Sequence, residues 1–552
     1  MTTEPIENTS TGRIPRHHPG AGLKYTQAAR IGRLLIALLG LWVGLRSAAA
    51  RFELQNASLR DIQAAMDSGA LTSEKLVRLY LERIEAYDRK GPILRAVLHL
   101  NTNALETARG LDAERRSKGS RGPLHGVPVI VKDVFDTADM PTSGGFKAMA
   151  DARPTKDAFV VARLRSAGAI ILAKVNQSDW YGATEIVASS SLGGSTLNPH
   201  ALDRTPGWSS SGTSAGLAAY FSPVGLGSET GFSIRTPSSD GNLCGLSTTS
   251  GLISRDGQMW SYITGERGGP MARSVADVAA VLDVIAGFDS ADLWTAQSLG
   301  KMPMEPYSSF VVTNALRGAR LGVLKEAYDF KPVEPGAVEL FETAYAAIER
   351  AGAQVVRGLS LGIDLPKYLT NASPSRFERV EAINRYLARQ GTAAKFKDVH
   401  EMIANTIHPV RPDTVEAASK PRNLDRDPEY RATLAAKAAL REMIIELMDR
   451  HHLDALIYPH KLHGPLLIGH KDAPTSKYTP NQTSPVTGLP AFIVPAGFTP
   501  ANLPIGLEIL GRPWSEPQLL RLAASFEAVH PNRRTPASTP PLPGESFDYS
   551  TP

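Results

Sequence analysis

The chain has 552 residues and a mass of 59.3 kDa, with 42% apolar and 21% charged residues, which is enough for a large buried core and too apolar for a disordered protein. Its net charge is +5, but the first fifty residues hold six Lys/Arg against two Asp/Glu, so they carry four of those five charges and the remainder is close to neutral. No basic footprint for nucleic acid is left. The one cysteine, Cys244, excludes an internal disulfide and a cysteine-based metal cluster and reads as a small buried residue.

Residues 1–50 read as a leader. Arg30 and Arg33 precede an apolar run from Leu34 to Leu45, which is followed by Ser47-Ala48-Ala49-Ala50. Charged, apolar and small-residue segments in that order are the pattern of a cleaved secretory signal. The run is shorter than the roughly twenty residues needed to span a bilayer. The expectation is export to the periplasm or the medium, with no stable membrane insertion after cleavage.

From Arg51 the pattern is α/β. Leu59–Asp67 and Ser73–Tyr87 are predicted helices, the second capped by Thr72 and carrying Val77, Tyr80, Leu81, Ile84 and Tyr87 on one face. Short apolar runs follow at Ile93–Leu98, Val127–Val131, Ala169–Leu172, Ala455–Tyr458 and Phe492–Val494. Their alternation with helical segments predicts a parallel or mixed sheet covered by helices on both faces. The Gly- and Ser-rich stretch Ser189–Gly251 reads as site-forming loops and residues 288–450 as a helix-rich covering region, both within one domain spanning 51–530. The Pro-rich tail, 531–552, is expected to be disordered or loosely draped.

The chemistry gathers in the centre. Thr205-Pro206-Gly207-Trp208-Ser209-Ser210-Ser211-Gly212 and Gly227-Ser228-Glu229-Thr230-Gly231-Phe232-Ser233-Ile234-Arg235 place serines beside glycines, where backbone N–H groups can converge on an oxyanion. Upstream, Gly126-Val127-Pro128-Val129-Ile130-Val131-Lys132-Asp133 ends an apolar strand on a lysine. Desolvation there disfavours the charged amine and makes Lys132 a usable base near neutral pH.

With these residues the chain resembles the amidase signature family over about Leu54 to Ala528. Further matching blocks are Ile171-Leu172-Ala173-Lys174-Val175-Asn176, Leu197-Asn198-Pro199, Gly269-Pro270-Met271-Ala272-Arg273-Ser274, Thr487-Gly488-Leu489-Pro490 and Gly511-Arg512-Pro513. The resemblance implies an amidase signature fold, a single large α/β domain with a mixed sheet. It also implies hydrolysis of a small-molecule carboxylic amide without a cofactor or metal. Carried over, Ser233 is the nucleophile, Ser209 the bridging serine, Lys132 the base, and the N–H groups of Thr230, Gly231 and Phe232 the oxyanion hole. Trp208, Ser211 and Phe232 stand where glycine is common in the family. Trp208, with Phe232, Trp180, Tyr181 and Phe146, suggests an aromatic-lined pocket for an apolar or aryl acyl group, with ordinary core packing as the alternative. Glu229 is expected to pair with Arg235.

Three other readings compete. Gly212-Thr213-Ser214-Ala215-Gly216 matches the nucleophile elbow of an α/β-hydrolase-type esterase, but it lacks a preceding strand, and Ser214 fits a helix running to Phe221. His460, His463 and His470 match no strong metal-ligand spacing and read as solvent-facing or cleft-rim histidines. An inactive amidase-like binding protein would not require a strand-end base. The oligomeric state is not readable.

Overall fold

Helix starts follow the side chains that the sequence puts there. Ser58 caps Leu59–Asp67 in a reciprocal box with Asp61, and the Thr72 hydroxyl accepts the Lys75 N–H at 3.1 Å ahead of Ser73–Arg83. The second helix ends earlier than its apolar spacing predicts, because Ile84–Arg89 winds into a π-helical turn. The strand expected at Ile93 is also displaced. Ile93 and Arg95 have φ of 53° and 54°, a left-handed conformation closed to strands, and pairing starts only at Val97.

The computed structural model describes residues 49–180, 182, 188–329, 332–469 and 482–550. The leader expected at residues 1–50 lies outside them up to residue 48, as do Tyr181 and His470. Residues Arg51–Tyr549 form one compact unit. Among the described residues, no helix is long and apolar enough to cross a membrane.

The unit is built on an eleven-stranded sheet: β1 (Val97–Leu100), β2 (Pro128–Lys132), β3 (Ile170–Val175), β4 (Val224–Glu229), β5 (Cys244–Ser247), β6 (Arg267–Ala272), β7 (Arg320–Leu324), β8 (Gln354–Leu359), β9 (Ala455–Pro459), β10 (Ala491–Phe498) and β11 (Pro504–Leu510). The spatial order is β8-β7-β9-β11-β10-β5-β6-β4-β2-β3-β1. It is mixed, as expected: β2 runs parallel to β3 and β4, and β7 to β8 and β9, while β4–β6 and β10–β11 are antiparallel. Every residue of β2, β3, β4 and β6 is buried, as a sheet covered on both faces requires. Four of the five predicted apolar runs lie in its strands.

Two expectations change. Residues 288–450 do hold long helices, Ala337–Arg350, Ser375–Gln390 and Pro428–Arg450, but they also supply β7 and β8. The region is therefore partly built into the sheet rather than only laid over it.

The carboxyl tail is not loosely draped up to residue 550. Both carboxylate oxygens of Glu545 accept from Arg83 Nη1 at 2.8 Å, and Arg83 Nε and Nη2 donate to the carbonyls of Ala219 and Thr539 at 3.0 and 2.9 Å. Arg83 is fully buried and Glu545 nearly so. Composition hides this because the anchor is one charge pair 462 residues apart in sequence. Removing one partner of such a pair leaves an uncompensated buried charge, so Glu545→Ala should lower the unfolding free energy by about 3 kcal/mol in denaturant titration. An unchanged midpoint would show that the tail anchors nothing.

Candidate active site

Lys132 is the last residue of β2, flanked by β3 and β4, with a nearly buried side chain. Its Nζ lies 2.7 Å from Ser209 Oγ, 2.9 Å from Ser228 Oγ and 3.4 Å from the Ser228 carbonyl. Among the described residues it forms no ion pair. The neighbouring acid, Asp133, is committed to Lys174, with which it makes a fully buried pair at 3.0 Å. Burial without a contacting carboxylate pulls the Lys132 amine down from the usual lysine range to about 7, against the more distant charges of Glu266 and Glu229. A neutral amine has two donors and one lone pair. The Ser228 oxygens can take the donors, leaving the lone pair for the Ser209 hydroxyl.

Ser209 and Ser233 sit on separate loops that line the same cavity as Lys132. Gly207 makes the first turn possible, with φ at 101° and the space a Cβ would fill lying 2.5 Å from Pro237 Cα. The next serine, Ser210, ties this loop to β4. Its hydroxyl donates to the Ser228 carbonyl at 3.1 Å and accepts the Ser228 N–H at 3.3 Å.

The second loop leaves the end of β4. Glu229 Oε2 accepts the N–H groups of Ile234 and Arg235 at 3.2 Å, while Arg235 Nη2 donates to the Gly231 carbonyl at 3.0 Å. The expected Glu229–Arg235 pair is present at 3.0 Å, with both side chains fully buried. It belongs to a larger network. Arg267 bonds Glu229 at 3.0 Å, Arg235 bonds Glu508 at 2.6 Å, and Glu508 accepts from Tyr458 at 2.9 Å. Loop residues 231–233 are thus gripped on both sides of Ser233. Phe232 keeps a negative φ, so the departure from glycine costs no left-handed strain.

These parts line one cavity of about 280 Å³. Lys132, Ser209, Ser233, Thr230, Gly231, Phe232, Trp208 and Trp180 all face it. Trp208 and Phe232 meet edge to face, with centroids 5.1 Å apart. Trp180 is held by a 3.0 Å bond from Nε1 to Ser261 Oγ. Phe146 does not line the cavity. It is fully buried, with its ring 6.3 Å from that of His408, and is a core residue.

Several lining residues carry no signal in the sequence: Ser228, Glu266, Asp179, Arg379 and Arg411. Glu266 arrives through strand register. Pairing of Glu229 with Arg267 sets Glu266 beside Thr230, whose hydroxyl donates to it at 2.9 Å, and burial raises the Glu266 pKa.

The competing motifs resolve by position. Ser214 is buried inside the helix Ser211–Ala218, which ends three residues before Phe221, and its Oγ donates to the Pro237 carbonyl at 2.6 Å. The elbow geometry is absent. Cys244 is fully buried, as expected. His460 is not solvent-facing. It is fully buried between Glu508, at 2.7 Å from Nδ1, and Thr236, at 2.7 Å from Nε2, and burial favours its neutral form. His463 is half-buried against the Gly464 carbonyl. Among the described residues, no group of three or more His, Cys, Asp or Glu side chains is placed to hold a metal.

The profile of the family described as Amidase matches residues 75–520. The peptide amidase of Stenotrophomonas maltophilia superposes with a TM-score of 0.77 at 34% identity, covering 87% of this chain and 98% of that one. An amidase family protein from Bacillus anthracis gives 0.77 at 28% identity, covering 88% and 92%. In sequence, a probable amidase of Arabidopsis thaliana is 30% identical, over 88% of this chain and 92% of its own length.

The electrostatics make one direct prediction. Titration of Lys132, followed by NMR on ¹⁵N-lysine-labelled protein, should centre near pH 7. Glu266→Gln removes a carboxylate that favours the ammonium form, so the midpoint should move lower. A midpoint in the usual range, near 10, would contradict the buried, unpaired environment.

Proposed function

This chain belongs to the amidase signature family, and on that footing we propose that it hydrolyses carboxylic amides through an acyl-enzyme on Ser233, with Ser209 as the relay and Lys132 as the base. The observation that carries the assignment of roles is the 2.7 Å contact between Lys132 and Ser209 inside the cavity that Ser233 also lines. Neutral Lys132 takes the Ser209 proton while Ser209 takes the Ser233 proton and Ser233 Oγ attacks the amide carbonyl carbon. The tetrahedral oxyanion is met by the N–H groups of Thr230, Gly231 and Phe232, each well-placed donor contributing about 3 kcal/mol. As the C–N bond breaks, the proton returns from Lys132 through Ser209 to the leaving amine. Water then enters by the same relay in reverse roles and releases the carboxylic acid.

The edge-to-face pair of Trp208 and Phe232 supports an apolar or aryl group on the acyl side. Esters and carbamates undergo the same chemistry and are candidate alternative substrates. The order of charged, apolar and small residues in the first fifty supports export, and with it a free-standing hydrolase of small amides rather than one component of an amidotransferase. Signal cleavage is tested by amino-terminal sequencing of protein recovered from a periplasmic or culture-medium fraction.

Ser233→Ala and Lys132→Ala should each cut kcat on a p-nitroanilide by about 10⁴-fold or more, and intact mass spectrometry should find the acyl adduct on Ser233. Because the base works only when neutral, kcat/KM should fall as pH drops below about 7, with the limb moving to lower pH in Glu266→Gln. Full turnover by Ser233→Ala would end the assignment. Trp208→Ala should raise KM for aryl amides more than for acetamide, and equal effects on both would remove the aryl preference.

A further inference from the structure

The lining of the cavity is not only aromatic and hydroxyl-bearing. Arg379, from the helix Ser375–Gln390, and Arg411 both face it. Arg379 is largely enclosed, with its side chain 14% exposed, and its only ion pair among the described residues is Nη2 to Asp413 Oδ2 at 3.2 Å. Its guanidinium makes no hydrogen bond to any described residue, although that group has five N–H donors in a planar fork. The same Asp413 carboxylate is already engaged by Arg411, through Nη2 at 2.9 Å and Nε at 3.1 Å. Two guanidinium groups therefore share one carboxylate. Burial brings Arg379 down to about 10, which still leaves it cationic at neutral pH. Two further acids line the cavity, and their charges act on these arginines, Glu266 on Arg379 and Asp179 on Arg411. Asp179 receives the N–H groups of Gly182 and Ser191 at 2.9 and 2.8 Å, and Glu266 those of Ser261 and the Thr230 hydroxyl.

A largely enclosed guanidinium that lines a reaction cavity and makes no side-chain hydrogen bond to any described residue offers a planar donor fork to an anion that arrives with the substrate. Planar, forked donors match a carboxylate. We infer that Arg379, assisted by Arg411, binds a carboxylate of the substrate, so that the preferred substrates are amides bearing a second, anionic carboxyl group. This rests on the amidase reading and narrows its substrate class: an apolar or aryl portion against Trp208 and Phe232, and an acid against Arg379. Arg379 and Asp413 also line a neighbouring cleft of about 760 Å³, so the acid has room to belong to a substrate that extends past the cavity.

Matched anilides test it. Succinic acid mono-p-nitroanilide against its methyl ester places the carboxylate on the acyl side. N-butyryl-4-aminobenzoate against N-butyrylaniline places it on the leaving amine. Wild-type protein should favour the carboxylate member of one pair by about 10- to 100-fold in kcat/KM, chiefly through KM. In Arg379→Gln that ratio should collapse towards about one, and Arg379→Lys should retain part of it, because the charge survives and the fork does not. Equal treatment of both members of both pairs by wild type, or a ratio untouched by Arg379→Gln, would overturn the proposal.

Binding gives an answer that does not depend on turnover. Isothermal titration of both carboxylate anilides into Ser233→Ala should yield a complex that weakens at least about tenfold in Ser233→Ala/Arg379→Gln. Absence of any such difference overturns the carboxylate site even where hydrolysis is normal. Conversely, Arg379-dependent binding together with failure of wild type to hydrolyse any of the four compounds would uphold the site and remove the amidase reading of these compounds.

Discussion

A buried amine with hydroxyls in contact and, among the described residues, no carboxylate within ion-pairing distance sets the terms for the site. Desolvation penalises an ammonium heavily, and a contacting carboxylate would restore it. Here the adjacent acid, Asp133, is locked onto Lys174, and Glu266 is tied up by Thr230 and the Ser261 N–H. These two acids are thereby kept from converting Lys132 into a structural cation. Enclosure between the two neighbouring strands shields the amine from water.

The loop that carries Ser233 is held by the opposite strategy, charges that are buried but fully paired. Glu229, Arg235, Arg267 and Glu508 alternate in sign, and Tyr458, His460 and two main-chain N–H groups satisfy the remaining lone pairs. Side-chain alternation along β4 separates the two regimes. Ser228 turns towards Lys132, and Glu229 turns towards the arginines. One strand end thus holds a buried amine without an ion pair among the described residues on one face and an ionic scaffold on the other.

Other elements complete the lining of the cavity. The helix Ser375–Gln390 brings Arg379 to the wall and is pinned close to its end, where Tyr386, Arg389 and Gln390 all bond the Asp136 carboxylate at 2.7 to 2.8 Å. Asp136 is enclosed, and burial pushes its pKa up to about 6. Because Asp136 lies four residues beyond Lys132, the segment that follows this lysine also holds the helix that carries Arg379.

Features with a local signal were legible in the chain before any folding: the helix cap at Thr72, the apolar strands with Lys132 at one end, the serine- and glycine-rich loops with Ser209 and Ser233, and the family that these ordered blocks resemble. Strand alternation and capping act within a few residues, so one dimension is enough to read them. The remaining features emerge only on folding, because each joins residues that are distant in the chain. Glu266 reaches Thr230 through antiparallel register. Glu545 clamps Arg83 across almost the whole chain, His460 is withdrawn from solvent into an ionic network, and Phe146 turns to the core. Arg379 and Arg411, within a charged helical region indistinguishable by composition from a solvated face, acquire their meaning only from the cavity they enclose.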